Sequence, residues 1–134
     1  MTPLEIVKSF YTSDLANDAN IVPKFFHKDC ELHWTSSQGF KLLNYDELEK
    51  FFSETRRAFD NLRFEFTHLL ESNSSIVTRH TLFGSTIEDS KNETILGHFS
   101  TIWEIKDGKL YRGYEMSQQA DENDLESMAS YSKK

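Results

Sequence analysis

One side chain in this sequence combines acid–base chemistry with a place on an aromatic strand face: Glu115. It lies in the second of two strand-like runs, residues 95–105 and 109–117, which flank a Lys-Asp-Gly turn. A three-residue turn with Gly108 as a bulge would place six residues on one face as cross-strand partners. These pairs are Phe99 with Glu115, Thr101 with Gly113, and Trp103 with Tyr111. Aromatic walls, a glycine gap and one carboxylate are typical of a pocket lining.

Burial among these rings would raise the pKa of Glu115 toward the range useful for proton transfer. The alternative is a carboxylate that is paired with an arginine or a tyrosine hydroxyl, or that contacts water at the pocket mouth. His80 is the second candidate, and it shares a strand face with Thr78 and Leu82. A histidine facing Glu115 could act as a general base oriented by the carboxylate. Its alternative is a core histidine bonded to a backbone carbonyl or to water.

The other histidines and the single cysteine indicate no metal site. The spacings among the five histidines and the carboxylates match no metal-binding motif. Cys30 has no recognisable activating partner, so we interpret it as a buried, inert thiol. His33 and His98 alternate with Trp34 and Phe99, and we expect both to point away from the pocket as surface or interface residues. We expect neither a cofactor nor a metal.

Helices in the first half of the chain and strands in the second must position these residues. Thr2 and Glu5 form a capping box ahead of one helix, and Asn44 and Glu47 repeat it ahead of another. A short helix is predicted between them, and polar residues 36–39 are predicted to form a loop. Strands are predicted at residues 31–36, 62–67, 76–83, 95–105 and 109–117. Helices followed by antiparallel strands indicate an α+β fold, with the helices packed on one side of the sheet.

Length and composition narrow the possible functions. The 134 residues suffice for one domain, which we place at residues 1–120, and 13% of them are aromatic. Residues 121–134 form an acidic, serine-rich tail, either a short helix through Leu125 and Met128 or disordered. A net charge of −7 without a basic cluster argues against nucleic acid and anionic membranes. No signal peptide or bilayer-length apolar run is recognisable, which indicates a cytoplasmic protein.

Three stretches together resemble the nuclear transport factor 2-like superfamily, and within it the SnoaL-like polyketide cyclase and ketosteroid isomerase group. They are the opening helix with Asn17-Asp18 and Phe25-Phe26, the run Arg79-His80-Thr81-Leu82-Phe83-Gly84, and Ile105-Lys106-Asp107-Gly108-Lys109-Leu110 with its following strand. The resemblance covers roughly residues 3–119. It implies a cone: a strongly curved, mostly antiparallel sheet closed by three helices around a deep pocket, with His80 on the cavity face.

The resemblance carries over to individual residues only in part. The positions that match the catalytic residues of the steroid isomerases are Phe10, Trp34 and Thr101, and none can perform the chemistry of the tyrosine and two aspartates found there. The aspartate on the last strand of the cyclases corresponds to Glu115, with glycine in place of the neighbouring histidine.

We therefore expect a pocket for a small, mostly apolar or aromatic molecule, with Glu115 and His80 as acid and base in an isomerase, cyclase or lyase reaction. The ligand would be contacted by Tyr11, Trp34, Phe99, Thr101, Trp103 and Tyr111. The alternatives are a non-catalytic binding or interaction module, and rings that simply fill the cone. Apolar residues on the outer sheet face, among them Ile102, Tyr114 and Met116, predict a homodimer, as is common in the family.

Overall fold

The fold is a six-stranded sheet with three helices on one face and a fourth on the other. A computed structural model describes residues 1–132. The elements in chain order are α1 (Pro3–Thr12), α2 (Ile21–Phe25), β1 (Phe26–Ser36), β2 (Gly39–Leu43), α3 (Tyr45–Ala58), β3 (Phe59–Ser72), β4 (Ser75–Thr86), β5 (Thr94–Lys106), β6 (Lys109–Gln119) and α4 (Leu125–Ser130). The last two residues of the predicted tail lie outside the described residues.

The strand order is β2-β1-β6-β5-β4-β3, and every neighbouring pair is antiparallel except β1 and β6, which are parallel. The predicted α+β class is confirmed. Both predicted helix starts are also present: the side chains of Thr2 and Asn44 accept hydrogen bonds from the backbone of Glu5 and Glu47. None of the helices formed by residues 1–132 is long and apolar enough to cross a membrane.

The helices α1, α2 and α3 supply the core that covers the inner face of the sheet. Val7, Ile21 and Leu48 are fully buried, one from each helix, and they pack with Ile76 and Leu110 of the sheet. Their spacing within each helix reflects the apolar stripe expected of a helix that lies on a sheet. The aromatic residues between these helices and the sheet form the walls of the site described below.

The predicted register of the β5–β6 hairpin is wrong by two residues. Asp107 and Gly108 both have positive φ, at 53° and 73°, and Lys106 pairs with Lys109. This is the geometry of a two-residue type I′ turn, which favours Asp-Gly. A bulge beside Tyr111 then shifts the pairing, so Trp103 faces Gly113 and Thr101 faces Glu115.

The strand β2 and the position of α4 also differ from expectation. Residues 39–43 were not predicted as a strand because β2 is short and edge-exposed: the Phe40 side chain is 61% exposed. The sequence allowed either a short helix or a disordered tail after residue 120, and the structure has the helix α4. The residues at the end of α4 pack on the outer face of the sheet. There Arg79 donates hydrogen bonds to Ser130, and the ring of Tyr131 stacks on His98.

Candidate functional site

A cavity of about 290 Å³ lies between the inner face of the sheet and the helices α1 and α3. Of the 19 residues that line it, ten are aromatic and six are leucines. The other three are Thr55, His80 and Glu115. Because the wall is almost entirely apolar, Glu115, His80 and Tyr11 are the ionisable side chains that could perform acid–base chemistry on a molecule inside it.

Glu115 is the buried acid of this cavity. Its carboxylate accepts a hydrogen bond of 2.8 Å from the Thr101 hydroxyl, and Thr101 itself has no exposed surface. Burial raises the pKa of Glu115 to about 7, and the hydrogen bond from Thr101 opposes this only in part. The side chain keeps some accessible surface although protein surrounds it, because that surface faces the cavity.

No arginine neutralises Glu115 among residues 1–132. Arg112 pairs with Glu31 and donates to the backbone of Asp29, and Arg79 is engaged by the segment after α4. The alternative of an arginine-paired carboxylate, left open by the sequence, does not describe this arrangement. Glu115 is held by one neutral hydrogen-bond donor and by apolar walls, which leaves its proton transferable near neutral pH.

Tyr11 and Trp103 form a second polar contact in the wall. The indole Nε1 of Trp103 donates to the Tyr11 hydroxyl oxygen over 2.9 Å. Burial, together with the negative charge of Glu115, raises the pKa of Tyr11 well above its ordinary value. Tyr11 therefore stays protonated, with its hydroxyl close to Glu115 and beside Trp103, Thr78 and Thr101.

His80 lines the cavity but forms no pair with Glu115 among the residues described. Its Nδ1 lies 3.1 Å from the Thr78 hydroxyl, and its ring stacks on Phe99 at 5.4 Å. The register places His80 two strands and two residues away from Glu115, so their Cα atoms are about 12 Å apart. Burial lowers the pKa of His80 to about 3, and the imidazole is neutral. The predicted carboxylate–histidine pair does not form.

Two other expectations about the pocket require correction. Tyr111 lies outside the cavity because the bulge at this position turns its ring away, onto His27 and the guanidinium of Arg112. Gly113 leaves no empty space: a Cβ there would come within 2.6 Å of the Trp103 ring and 2.8 Å of Leu32. The glycine permits close packing of the tryptophan rather than forming a gap.

His98 points away from the cavity, as expected, but it is not a surface residue. Its side chain is 6% exposed because Tyr131 covers it, and its Nδ1 lies 2.9 Å from the Thr81 hydroxyl. Cys30 is buried, and burial raises the pKa of its thiol to about 11, so it stays protonated. Within residues 1–132, no group of three or more His, Cys, Asp and Glu side chains is placed to hold a metal ion.

Of the other predicted contact residues, Tyr11, Trp34, Phe99 and Trp103 line the cavity. Thr101 acts on it through Glu115. Rings contributed by α3 and β3, such as Phe51, Phe52 and Phe64, also line the cavity, although their sequence pattern did not predict it. The helical stripe containing Phe51 and Phe52 was the available signal, but a stripe alone does not distinguish a core from a cavity wall.

The buried Glu115 predicts a measurable pH dependence of stability. The folded protein keeps the Glu115 proton up to about pH 7, whereas the unfolded chain releases it near 4.5, so the free energy of unfolding falls as pH rises between these values. The difference corresponds to about 3 kcal/mol. Glu115→Gln should therefore match the wild type at pH 4 and exceed it by up to about 3 kcal/mol at pH 9 in urea unfolding.

The pH response of His80 is common to both proteins and cancels in this comparison. Glu54→Gln, at an exposed position on α3 away from the cavity and the outer sheet face, serves as the control for removal of a surface charge, and its difference from wild type should not change between the two pH values. Equal stability of Glu115→Gln and wild type at pH 9 would contradict a raised pKa at Glu115.

Comparisons with known proteins agree with this architecture. The sequence profile of the SnoaL-like domain matches residues 7–113. No curated protein sequence matches the chain. Among solved structures, IdmH from Streptomyces antibioticus, a proposed polyketide cyclase, is 10% identical with a TM-score of 0.69, over 98% of each chain.

Two further structures show the same fold at low identity. An LEH-like epoxide hydrolase from M. tuberculosis is 11% identical with a TM-score of 0.68, over 96% of this chain and 90% of its own. A protein with a ketosteroid isomerase-like fold from Catenulispora acidiphila, in complex with trimethylamine, is 12% identical with a TM-score of 0.65, over 86% and 85%. At such identities these structures establish the fold alone.

Proposed function

The chain belongs to the SnoaL-like domain family, and we propose that its cavity binds a small, mostly apolar molecule on which Glu115 acts as the proton-transferring group. The observation that carries this proposal is a buried carboxyl without a cationic partner among residues 1–132, with a pKa of about 7, in the wall of an apolar cavity. Near neutral pH both its acid and its base forms are populated, as general acid–base catalysis requires.

The chemistry that fits this site is proton transfer at a carbon beside a carbonyl group. The Glu115 carboxylate removes the proton, the electron pair passes to the carbonyl oxygen as an enolate, and the carboxyl returns the proton to the same or another atom. Tyr11 is a protonated donor near the carboxylate and would stabilise the enolate oxygen. These proton-transfer steps are common to isomerase, cyclase and lyase reactions.

In this proposal His80 is a hydrogen-bonding partner of the ligand and does not act as an acid. Its imidazole is neutral, and its Nδ1 lies 3.1 Å from the Thr78 hydroxyl. In the tautomer whose Nδ1 donates to Thr78, the lone pair of Nε2 would accept a hydrogen bond from the bound molecule. A reaction that required His80 and Glu115 to act together could not occur at this separation. The separation therefore favours the second candidate function, a non-catalytic binding protein.

An exchange experiment separates these two candidates. 2-Tetralone is apolar and aromatic, and replacement of its α-protons in D₂O is followed by ¹H NMR. Binding with accelerated exchange is the result expected of an acid–base enzyme. Binding with exchange at the rate of buffer alone would leave a binding protein, and failure of any apolar probe to bind would overturn both.

We also propose that the chain forms a homodimer through the outer face of β5 and β6. Ile102, Tyr114 and Met116 are 43%, 41% and 66% exposed there, and Ile102 and Tyr114 are cross-strand partners. In sedimentation velocity we expect a dimer for the wild type and a monomer for Ile102→Glu, because a charge at the centre of an apolar interface is costly. Lys91→Glu, in the loop between β4 and β5, should stay dimeric. A monomeric wild type would exclude this interface.

A further inference from the structure

A second hollow of about 250 Å³ opens beside the apolar cavity and shares three wall residues with it, Trp34, Leu96 and Phe99. We call it the annex. The rest of its wall comprises Gly97 and six uncharged polar residues: Ser36, Ser37, Gln38, Ser117, Gln118 and Gln119. The annex therefore reverses the polarity of the cavity while remaining continuous with its wall.

We propose that the annex is a specificity subsite for an uncharged, oxygen-bearing tail of the molecule whose apolar part occupies the cavity; the inference rests on the proposed function. The occupant would be amphipathic: a ring system beside Glu115, and hydroxyl, ether, ketone or amide groups at the mouth. Serine hydroxyls and glutamine amides both donate and accept hydrogen bonds, so they match such groups in either direction.

Three segments of the chain build the annex. Ser36 ends β1, and Ser37 and Gln38 form the β1–β2 turn. The Ser117 and Gln119 side chains come from the end of β6, and Leu96, Gly97 and Phe99 come from β5. Gln118 alternates onto the outer face of β6 with Met116. Within residues 1–132 the side chains of Ser37, Gln38 and Gln119 make no hydrogen bond to protein, so their donors and acceptors are free to bind a ligand.

The absence of charged residues from the lining of the annex, among the residues described, disfavours ionic tails. No charged residue among those described lines it, so a carboxylate or an ammonium group would lose water without gaining an ion pair. The Lys41 ammonium lies 5.8 Å from the centre of the Trp34 ring, and Lys41 is not among the lining residues. Because of Lys41, the experiment below includes an anionic tail.

The geometry also sets the spacing between the reacting centre and the tail. Ser117 and Glu115 lie two residues apart on the same face of β6, about 7 Å along the strand. The indole Nε1 of Trp34 donates to the Ser117 hydroxyl over 2.8 Å, which fixes the tryptophan at the boundary between the two spaces. The polar group of the ligand should thus begin about 7 Å from the atom that exchanges its proton with Glu115.

The test uses four 2-substituted naphthalenes whose tails have similar length: butyl, 2-methoxyethyl ether, propanoate and propyl-trimethylammonium. Their dissociation constants are measured by titration calorimetry with the full chain. We expect the ether tail to bind about tenfold more tightly than butyl, as one or two additional hydrogen bonds would provide. We expect neither ionic tail to exceed butyl.

Variants locate the effect. Gln38→Ala/Gln119→Ala should remove the advantage of the ether tail while leaving the butyl compound bound as in wild type. Gln119→Glu, which keeps the shape of the side chain, should improve binding of the trimethylammonium tail. Asn92→Ala, in the β4–β5 loop and outside the lining of both spaces, should change none of the four constants.

The outcomes distinguish the two proposals. If the butyl compound binds as tightly as the ether, or if an ionic tail binds best to the wild type, the subsite proposal fails. The proposal of an apolar binding cavity is then unaffected. If the double variant keeps the ether advantage, the tail is bound elsewhere and the annex is excluded. If none of the four compounds binds, the proposed function fails together with the subsite.

Discussion

Replacing Glu115 by glutamine should slow the protein-catalysed exchange of 2-tetralone α-protons by about 10²–10⁴-fold, the usual contribution of a general acid–base residue. The amide keeps the size of the side chain and can still accept the hydrogen bond from Thr101, but it cannot take up a proton. Binding of 2-tetralone should be preserved, so the loss appears in the exchange rate at saturating ketone.

The pH profile supplies a readout that a packing defect would not produce. In the wild type, exchange should rise with pH through the pKa of Glu115 at about 7, because only the carboxylate is a base. In Glu115→Gln this inflection should vanish. Glu54→Gln, at an exposed position on α3, should retain both rate and profile. Retained exchange in Glu115→Gln would remove this residue from the mechanism and transfer attention to His80.

Phe10→Ala should lower the free energy of unfolding by about 3–5 kcal/mol, the range for truncating a buried phenylalanine. The Phe10 side chain is 4% exposed and packs edge-on against five other rings. These belong to Tyr11, Phe25, Phe26, Phe52 and Trp103. Because Phe10 also lines the cavity, its removal enlarges a space that the surrounding rings cannot fill completely.

The same change at Phe40 is the matched control. Phe40 lies on the edge strand β2 with 61% of its surface exposed, and we expect Phe40→Ala to change stability by no more than about 0.5 kcal/mol. Urea unfolding followed by tryptophan fluorescence measures both. Similar losses at the two positions would contradict the assignment of Phe10 to the core.

The sequence predicted correctly which hairpin residues point inward, apart from Tyr111, but it did not predict which residues pair across the two strands. A slip of two residues keeps each side chain on the same face, since strand residues alternate with a period of two. Glu115, Trp103 and Phe99 therefore point inward in both registers, even though their partners changed. Tyr111 was assigned wrongly because a bulge interrupts the alternation, and a bulge has no reliable local signal in this hairpin.

Features that depend on contacts between distant segments of the chain could not be predicted from the sequence. His80 was expected to meet Glu115, but β5 lies between their two strands, and that order is set by the whole sheet. His98 was expected at the surface, and Tyr131, from beyond α4, covers it. The annex joins the β1–β2 turn to the end of β6 only because these two segments become neighbours in the folded chain.

That parallel contact between β1 and β6 has a consequence for the order in which the protein can form. Parallel strands cannot be joined by a short turn, and here β2, α3, β3, β4 and β5 all intervene between Trp34 and its partner Glu115. During synthesis, β1 has only the five-residue β2 to pair with until β6 leaves the ribosome. Closing so long a loop is slow, and the rings of the first half are open to aggregation meanwhile. The wall that carries Glu115 and the annex are thus completed in the same late step of folding.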